Sequence, residues 1–451
     1  GSPVRRSAEE DGKNSVRKII RPYRFEIVVL ALAALLRVGA IAVYGDFTQP
    51  QLYEYGGIAR HVLAGHGYAQ VFPILHPDYG IAPRTWDAAT PTAFTMPGYP
   101  LIMTAVLGIL GDNGAAYATL YALNLLVALL SLFELYILTA YLLSKPAARI
   151  ALVLAAVFPP LVAATATFGG TVWTHLIMLA ALLLVTRAAS GVRRDERAHG
   201  GASRGAFLLA GLVSGLWIVF RGEALGVVLL LALWMWWKQE ITLRNVVVYL
   251  GAALLVLLPW SLRNSLVFDR VVPLTTNFWL NAWRGNHEGT TGGAFKPEGG
   301  SNWLTPAIRA EIERLPHTPD YELRVMDIYR ARTMDFLRTQ PAAVARLYAR
   351  KIAMFLSVDW SDRRARHPLL LYPQLLLVLA AAAGGVLLSR RRRFPVPIGL
   401  AIAVTGLSVA ALHIETRYIL MMGILYIVLA AAALEAAWTR LFPRRGASSA
   451  E

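Results

Sequence analysis

The sequence predicts an all-α polytopic membrane protein with about ten transmembrane helices and a small, mainly α extracytoplasmic domain. Three observations lead there. Of 451 residues, 56% are hydrophobic and only 16% charged, whereas a soluble domain carries about a quarter charged residues. The apolar residues cluster in runs, such as 25–44, 120–143 and 249–260, and runs of about 20 residues match the thickness of a bilayer. Finally, Lys and Arg recur on alternate sides of those runs, as cytoplasmic loops require.

The elements follow in order. Residues 1–24 hold Arg5, Arg6, Lys13, Arg17, Lys18, Arg21 and Arg24, which predicts a cytoplasmic tail. The first run, 25–44, is followed by no small-residue cleavage site and reads as a span, not a cleaved signal. Residues 45–114 form the first extracytoplasmic loop. Within it the short apolar stretch 99–110 suits an interfacial or re-entrant segment. Further spans are expected at 115–143, 150–166, 170–187, 206–220, 222–237 and 246–261, which completes an N-terminal transmembrane module over 25–261. Residues 262–367 make one extracytoplasmic domain, with helices predicted over 320–338 and 341–356 and a loop rich in Gly, Asn and Thr over 284–303. The C-terminal transmembrane helices, 368–438, contain spans at 369–388, 396–412 and 418–436, and 439–451 is a second cytoplasmic tail.

Composition excludes several chemistries. Cysteine is absent, so there are no disulfides, thiolate metal sites or cysteine nucleophiles. The net charge of +16 is explained by cytoplasmic Lys and Arg, and no nucleic-acid partner is expected. No GxxxxGK[ST] loop occurs. His61, His66, His76 and Asp78 match no strong metal-ligand template, so neither metal nor other cofactor is expected.

Residues 51–68 read QLYEYGGIARHVLAGHGY. At 100° per residue, Leu52, Tyr55, Ile58, Ala59, Val62 and Leu63 share one face and Glu54, Gly57 and His61 the other. That pattern predicts a helix lying on the membrane with a carboxylate and an imidazole upward. Asp46, Asp78 and Asp87 are rival acids of the same loop.

Basic residues recur at one depth. Arg37 lies within the first span, where a charge is costly and marks a site unless it snorkels to headgroups. Arg221 and Glu223 fall between two predicted spans. Arg263 and Asn264 follow Pro259-Trp260, and His413, Glu415, Arg417 and Tyr418 separate the last two spans. Arginines from several helix ends at one depth suit a phosphate.

Glu54-Tyr-Gly-Gly-Ile-Ala-Arg-His-Val-Leu-Ala-Gly-His-Gly-Tyr68 resembles the first-loop motif of bacterial GT-C glycosyltransferases, relatives of protein O-mannosyltransferases and of lipid A aminoarabinose transferases (family 39-like). Pro91–Pro100, Trp260–Asn264, Gly285–Glu288 and Glu415–Tyr418 resemble further motifs of that superfamily. The resemblance implies a GT-C-like fold and catalysis by an acid of the first loop. Gln51 stands where the common pattern has Asp, so the role passes to Glu54, with Asp46 in reserve. It also implies that Arg417 and Tyr418 face the lipid phosphate, with Arg263, Arg221 and Arg37 as further donor-binding candidates. His61, His175, Asn286, His287 and Glu288 are candidate substrate-binding residues.

The implied activity moves a sugar from a polyprenyl-phosphate donor to a glycan, lipid or protein acceptor. It would act at the outer face of a bacterial inner membrane, with both termini cytoplasmic and membrane lipids as surroundings. A transporter or flippase of a lipid-linked saccharide is the alternative. Such proteins are usually built from two related halves with charges at mid-membrane, and neither feature is legible in this sequence.

Overall fold

A computed structural model of the chain describes residues 23–71, 89–195, 204–238, 241–294, 303–316 and 318–442. The fold is helical and polytopic. Six helices are long and apolar enough to cross a membrane: α1 (Arg24–Tyr44), α4 (Gly114–Leu142), α7 (Thr171–Asp195, of which 171–191 is the apolar part), α10 (Leu243–Phe268), α15 (Pro368–Arg390) and α17 (Thr416–Leu441). Four shorter apolar helices lie among them: α3 (Gly98–Leu110), α8 (Arg204–Phe220), α9 (Ala224–Lys238) and α16 (Val396–Ala411). Between α1 and α3 lie α2 (Tyr53–Leu63) and a short ribbon in which β1 (Ala69–Gln70) pairs antiparallel with β2 (Thr90–Pro91). Asp78, Asp87 and His76 lie outside the described residues.

The expected span over 150–166 is two helices, α5 (Lys145–Val157) and α6 (Pro159–Ala164), broken at Phe158-Pro159-Pro160. Proline has no N–H to continue the ladder and disfavours helical backbone in the residue before it. The break leaves the last carbonyls of α5 without helical partners. Arg37 fills that need. It is only 1% exposed, and its guanidinium donates to Ala155 O at 3.1 Å, Ala156 O at 3.1 Å and Ala33 O at 3.2 Å. The expectation that Arg37 binds a donor phosphate is therefore corrected. A broken helix end inside the bundle accounts for this buried charge.

Helix α10 also departs from expectation, running to Phe268 instead of ending at 261. Its last turns are tied to the following strand-like segment: Trp260 Nε1 donates to Leu274 O at 2.7 Å, and Asn264 Nδ2 to Leu274 O at 3.2 Å and Val272 O at 3.3 Å. Small residues let the spans approach closely, as is common between membrane helices. A side chain on Gly211 or Gly215 of α8 would collide with carbonyls of Tyr249 and Ala253 on α10, and one on Gly384 of α15 with Leu429 O of α17.

The domain between α10 and α15 is mainly helical, as predicted. It contains α11 (Phe278–Gly285), α12 (Pro306–Glu313), α13 (Tyr321–Thr339) and α14 (Pro341–Phe355). Its core includes Leu280, Trp303, Ile308, Ile312, Tyr321 and Tyr329. Glu322 of α13, fully buried, joins this domain to the first loop. Its carboxylate accepts from Thr92 Oγ1 at 2.5 Å, Ala93 N at 3.0 Å and Thr276 Oγ1. Burial pushes this carboxyl upward and the three donors pull against that. Glu322→Ala strands three buried donors. It is expected to lower stability by about 3 kcal/mol or more, read as a fall in the thermal midpoint of detergent-solubilised protein. An unchanged midpoint would remove Glu322 from the joint.

Candidate functional site

The last loop, residues 412–415, leads into α17 and anchors a cluster of charges. Glu415 is its centre. Arg417 Nε lies 2.5 Å from Glu415 Oε2, and His413 Nε2 and Arg284 Nη1 lie 3.0 Å and 3.4 Å from Oε1. Burial works to raise the Glu415 carboxyl, but Arg417, His413 and Arg284 together hold it below the ordinary carboxylate range. The carboxylate thus stays ionised and fixes its cations in place.

Arg221, at the end of α8, pairs with Glu223 at 2.7 Å. Its guanidinium carbon lies 5.2 Å from the centre of the Tyr418 ring, and that of Arg417 lies 5.4 Å from the same centre. Two guanidiniums share one electron-rich ring. The Arg417 side chain remains 39% exposed while Glu415 is 16% exposed, so the cation is the more accessible partner of the pair.

The surface helix α2 arrives beside this group. Tyr55, half-buried with its ring centre 5.3 Å from that of Tyr99, lies within electrostatic reach of Arg417, Arg221 and Glu415, and Glu54 within reach of Arg417. Burial and the neighbouring Glu54 push the Tyr55 hydroxyl up to about 12. Glu54 itself is half-buried. Arg221, Arg417 and Tyr418 come together, and Glu54 contributes to the electrostatic field at Arg417.

Other candidates sit elsewhere. Arg263 donates to Thr92 O and Tyr68 O, both at 2.6 Å, and lies over the rings of Tyr68 and Trp260. It clamps the two ribbon ends to α10, and its role as a donor-binding residue is corrected on that ground. Asp46 turns its Oδ1 onto Thr48 N, Thr48 Oγ1 and Gln49 N at 2.8–2.9 Å. Those bonds close a turn after α1 and hold its carboxyl below the usual range. His61 falls on the buried face of α2, 3% exposed, with its ring 5.9 Å from that of His66. It does not share an open face with Glu54. The helix packs on α3 and the ribbon, and His61 falls on a buried side of it. His175 is 2% exposed and packs against the backbone of Leu420 and Met421 on α17.

The Gly285–Glu288 motif divides. Asn286 is structural: Nδ2 donates to Ala282 O at 2.7 Å and Ala411 O at 2.9 Å, and Oδ1 accepts from Lys351 Nζ at 2.9 Å. Gly285 leaves room for the last loop, since a side chain there would meet Leu412 O. His287 stacks on Trp283 with ring centres 4.8 Å apart, and Glu288 is exposed. Sequence reasoning missed Arg284, one residue before this motif, and Asp362, whose Oδ2 accepts from Thr416 Oγ1 at 2.9 Å. Neither lies in an apolar run, where an isolated charge would have drawn notice.

Lys351, fully buried, also donates to Leu412 O at 3.0 Å. Burial pulls its ammonium down to about 7. The folded pKa is below the unfolded one, so between about pH 7 and 10 folding expels a proton and stability rises with pH. The thermal midpoint is expected to climb through that window, and the climb to flatten in Lys351→Met. A flat wild-type profile would contradict this.

Among the described residues, no group of three His, Asp or Glu side chains is placed to hold a metal ion.

No protein-family model matches the chain, and neither does any curated protein. Solved structures do. The archaeal oligosaccharyltransferase AglB from Archaeoglobus fulgidus, in complex with an inhibitory peptide and a dolichol-phosphate, superposes with a TM-score of 0.55 at 17% identity. The alignment covers 96% of this chain and 53% of that one. The same enzyme tethered to an acceptor peptide gives 0.53 at 16% identity, covering 94% and 51%. The chain shares the fold of this membrane oligosaccharyltransferase over nearly its whole length. ArnT from Cupriavidus metallidurans bound to undecaprenyl phosphate aligns over 93% of this chain and 80% of its own, at 14% identity and a TM-score of 0.40. The chain spans about half the length of the oligosaccharyltransferase chains it matches.

Proposed function

We propose that the chain is a glycosyltransferase that moves a sugar from a polyprenyl-phosphate donor to an acceptor. The reaction would take place at the membrane face bearing the domain between α10 and α15, the extracytoplasmic face. The observation that carries this reading is the meeting of Arg417, Arg221 and Arg284 with Glu415 and Tyr418 beside Glu54, at helix ends where a lipid headgroup lies. The fold supports it, because the neighbour of like architecture was solved with dolichol-phosphate.

In this reading the acceptor hydroxyl attacks the anomeric carbon, and the bond from that carbon to the phosphate oxygen breaks. The phosphate leaves with the electron pair. Arg417 and Arg221 offset its developing charge through charge-assisted hydrogen bonds. Glu54 takes the proton of the hydroxyl. One displacement inverts the anomeric centre. Glu415 holds the guanidiniums in position before the donor arrives, so little reorganisation accompanies the reaction.

The test is transfer from an undecaprenyl-phosphate sugar by the purified protein in nanodiscs, with lipid-phosphate release and anomeric configuration both read. Release of lipid phosphate with an inverted product supports the reading. No turnover with any sugar of a panel, under conditions where the donor binds, overturns it.

A further inference from the structure

A cavity of 550 Å³ opens in the domain between α10 and α15, apart from the Glu415 cluster. One wall is a stripe of α14 bearing Arg346, Leu347 and Arg350; Phe336 of α13 and the loop 287–290 form the others. Arg346 and Arg350 stand one helical turn apart on a single face, both exposed. Among the described residues neither has an ion-pair partner. Like charges at this spacing repel, and an oxyanion placed between them removes the repulsion. Guanidinium forks suit the planar edge of a phosphate or carboxylate.

The remaining lining narrows the ligand. Phe336 and Leu347 offer an apolar patch, and the exposed carboxylate of Glu288 accepts from hydroxyl groups. Gly289, at φ +78° and with nothing within 4 Å of a Cβ there, keeps the loop wall low. The cavity is also wired to the charged cluster. Thr290 Oγ1 in its wall donates to Arg284 O at 2.8 Å, and the Arg284 guanidinium pairs with Glu415. Thr290 and Arg284 therefore link the cavity wall to the Glu415 cluster.

We propose that this cavity is the acceptor site and takes a hydroxylated molecule that carries an oxyanion, phosphate or carboxylate. The assignment of the occupant as acceptor rests on the glycosyltransferase reading. The binding chemistry itself does not.

The same headgroup can be presented in two forms, as phosphatidylinositol in neutral detergent micelles and as free inositol phosphate. Each is titrated into the full-length protein, and the tryptophan fluorescence change is read, since Trp283 stacks on the wall residue His287. Saturable binding is expected in the wild type and in Arg417→Ala. The double variant Arg346→Gln with Arg350→Gln, changed only at exposed positions, is expected to bind about tenfold or more weakly. Weakening in both forms supports a site for a free oxyanion, and weakening of the lipid form alone supports a lipid-borne acceptor. Equal binding by wild type and double variant, or loss in Arg417→Ala to the same extent, overturns the proposal. Failure of the transferase reading looks different: binding is then lost in the double variant as expected, and no sugar is transferred.

Discussion

Arg417→Ala is expected to lower sugar transfer by about a hundredfold or more, the usual effect of removing one preorganised charge partner from a leaving group. Two changes add together. The partly exposed guanidinium is gone, and of the cations paired with Glu415, His413 and Arg284 remain. Its carboxylate then repels the phosphate that it formerly served by holding Arg417. Arg417→Lys restores a charge without the planar fork, so it should recover part of the loss. The measurement is lipid-phosphate release at saturating donor, accompanied by the thermal midpoint. Loss of release with a preserved midpoint is the expected pattern. Release within about twofold of wild type would show that Arg417 does not face the leaving group.

The second large effect is at Glu54. Glu54→Gln keeps the shape of a half-buried side chain and removes its charge and its capacity to take a proton. General-base catalysis contributes about 10²–10⁴ in rate, and a loss of that size is expected in kcat, with little change in donor binding. An acceptor whose hydroxyl is more acidic should lose less, because it depends less on the base. Asp46→Asn is the matched comparison: its carboxylate closes a turn beyond α1, so transfer should change little. If Asp46→Asn is the inactive variant and Glu54→Gln the active one, the assignment of the base is reversed.

Both predictions depend on placement that a linear reading reached only in part. The polytopic architecture was legible because apolar runs of bilayer length leave few other folds for the backbone. The helices of the intervening domain were legible from their periodicity, and α13 and α14 fall within a residue of expectation. The charges were legible as a set, since few charged residues interrupt the spans. Their individual duties were not.

Arg37, Arg221, Arg263 and Arg417 look alike in sequence, each at or near a helix end. The structure separates them by what surrounds each guanidinium. Arg37 meets carbonyls exposed by the break before Pro159, and Arg263 meets carbonyls of the ribbon. Arg221 and Arg417 meet a ring and carboxylates. Backbone carbonyls carry no signature in side-chain sequence, so an arginine consumed by them cannot be told from one held for a ligand. The same reason hides Arg284 and Asn286, whose importance arises from the last loop lying against α11.

The sequence alone thus determined that the chain enters a membrane, how its apolar segments are spaced and which residue types lie at the helix ends, since hydrophobic length and charge are properties of local composition. Tertiary structure alone decided which arginines are consumed by backbone carbonyls and that His61 is buried while Glu54 stays half-buried. Those outcomes depend on contacts between segments hundreds of residues apart, which no local pattern encodes.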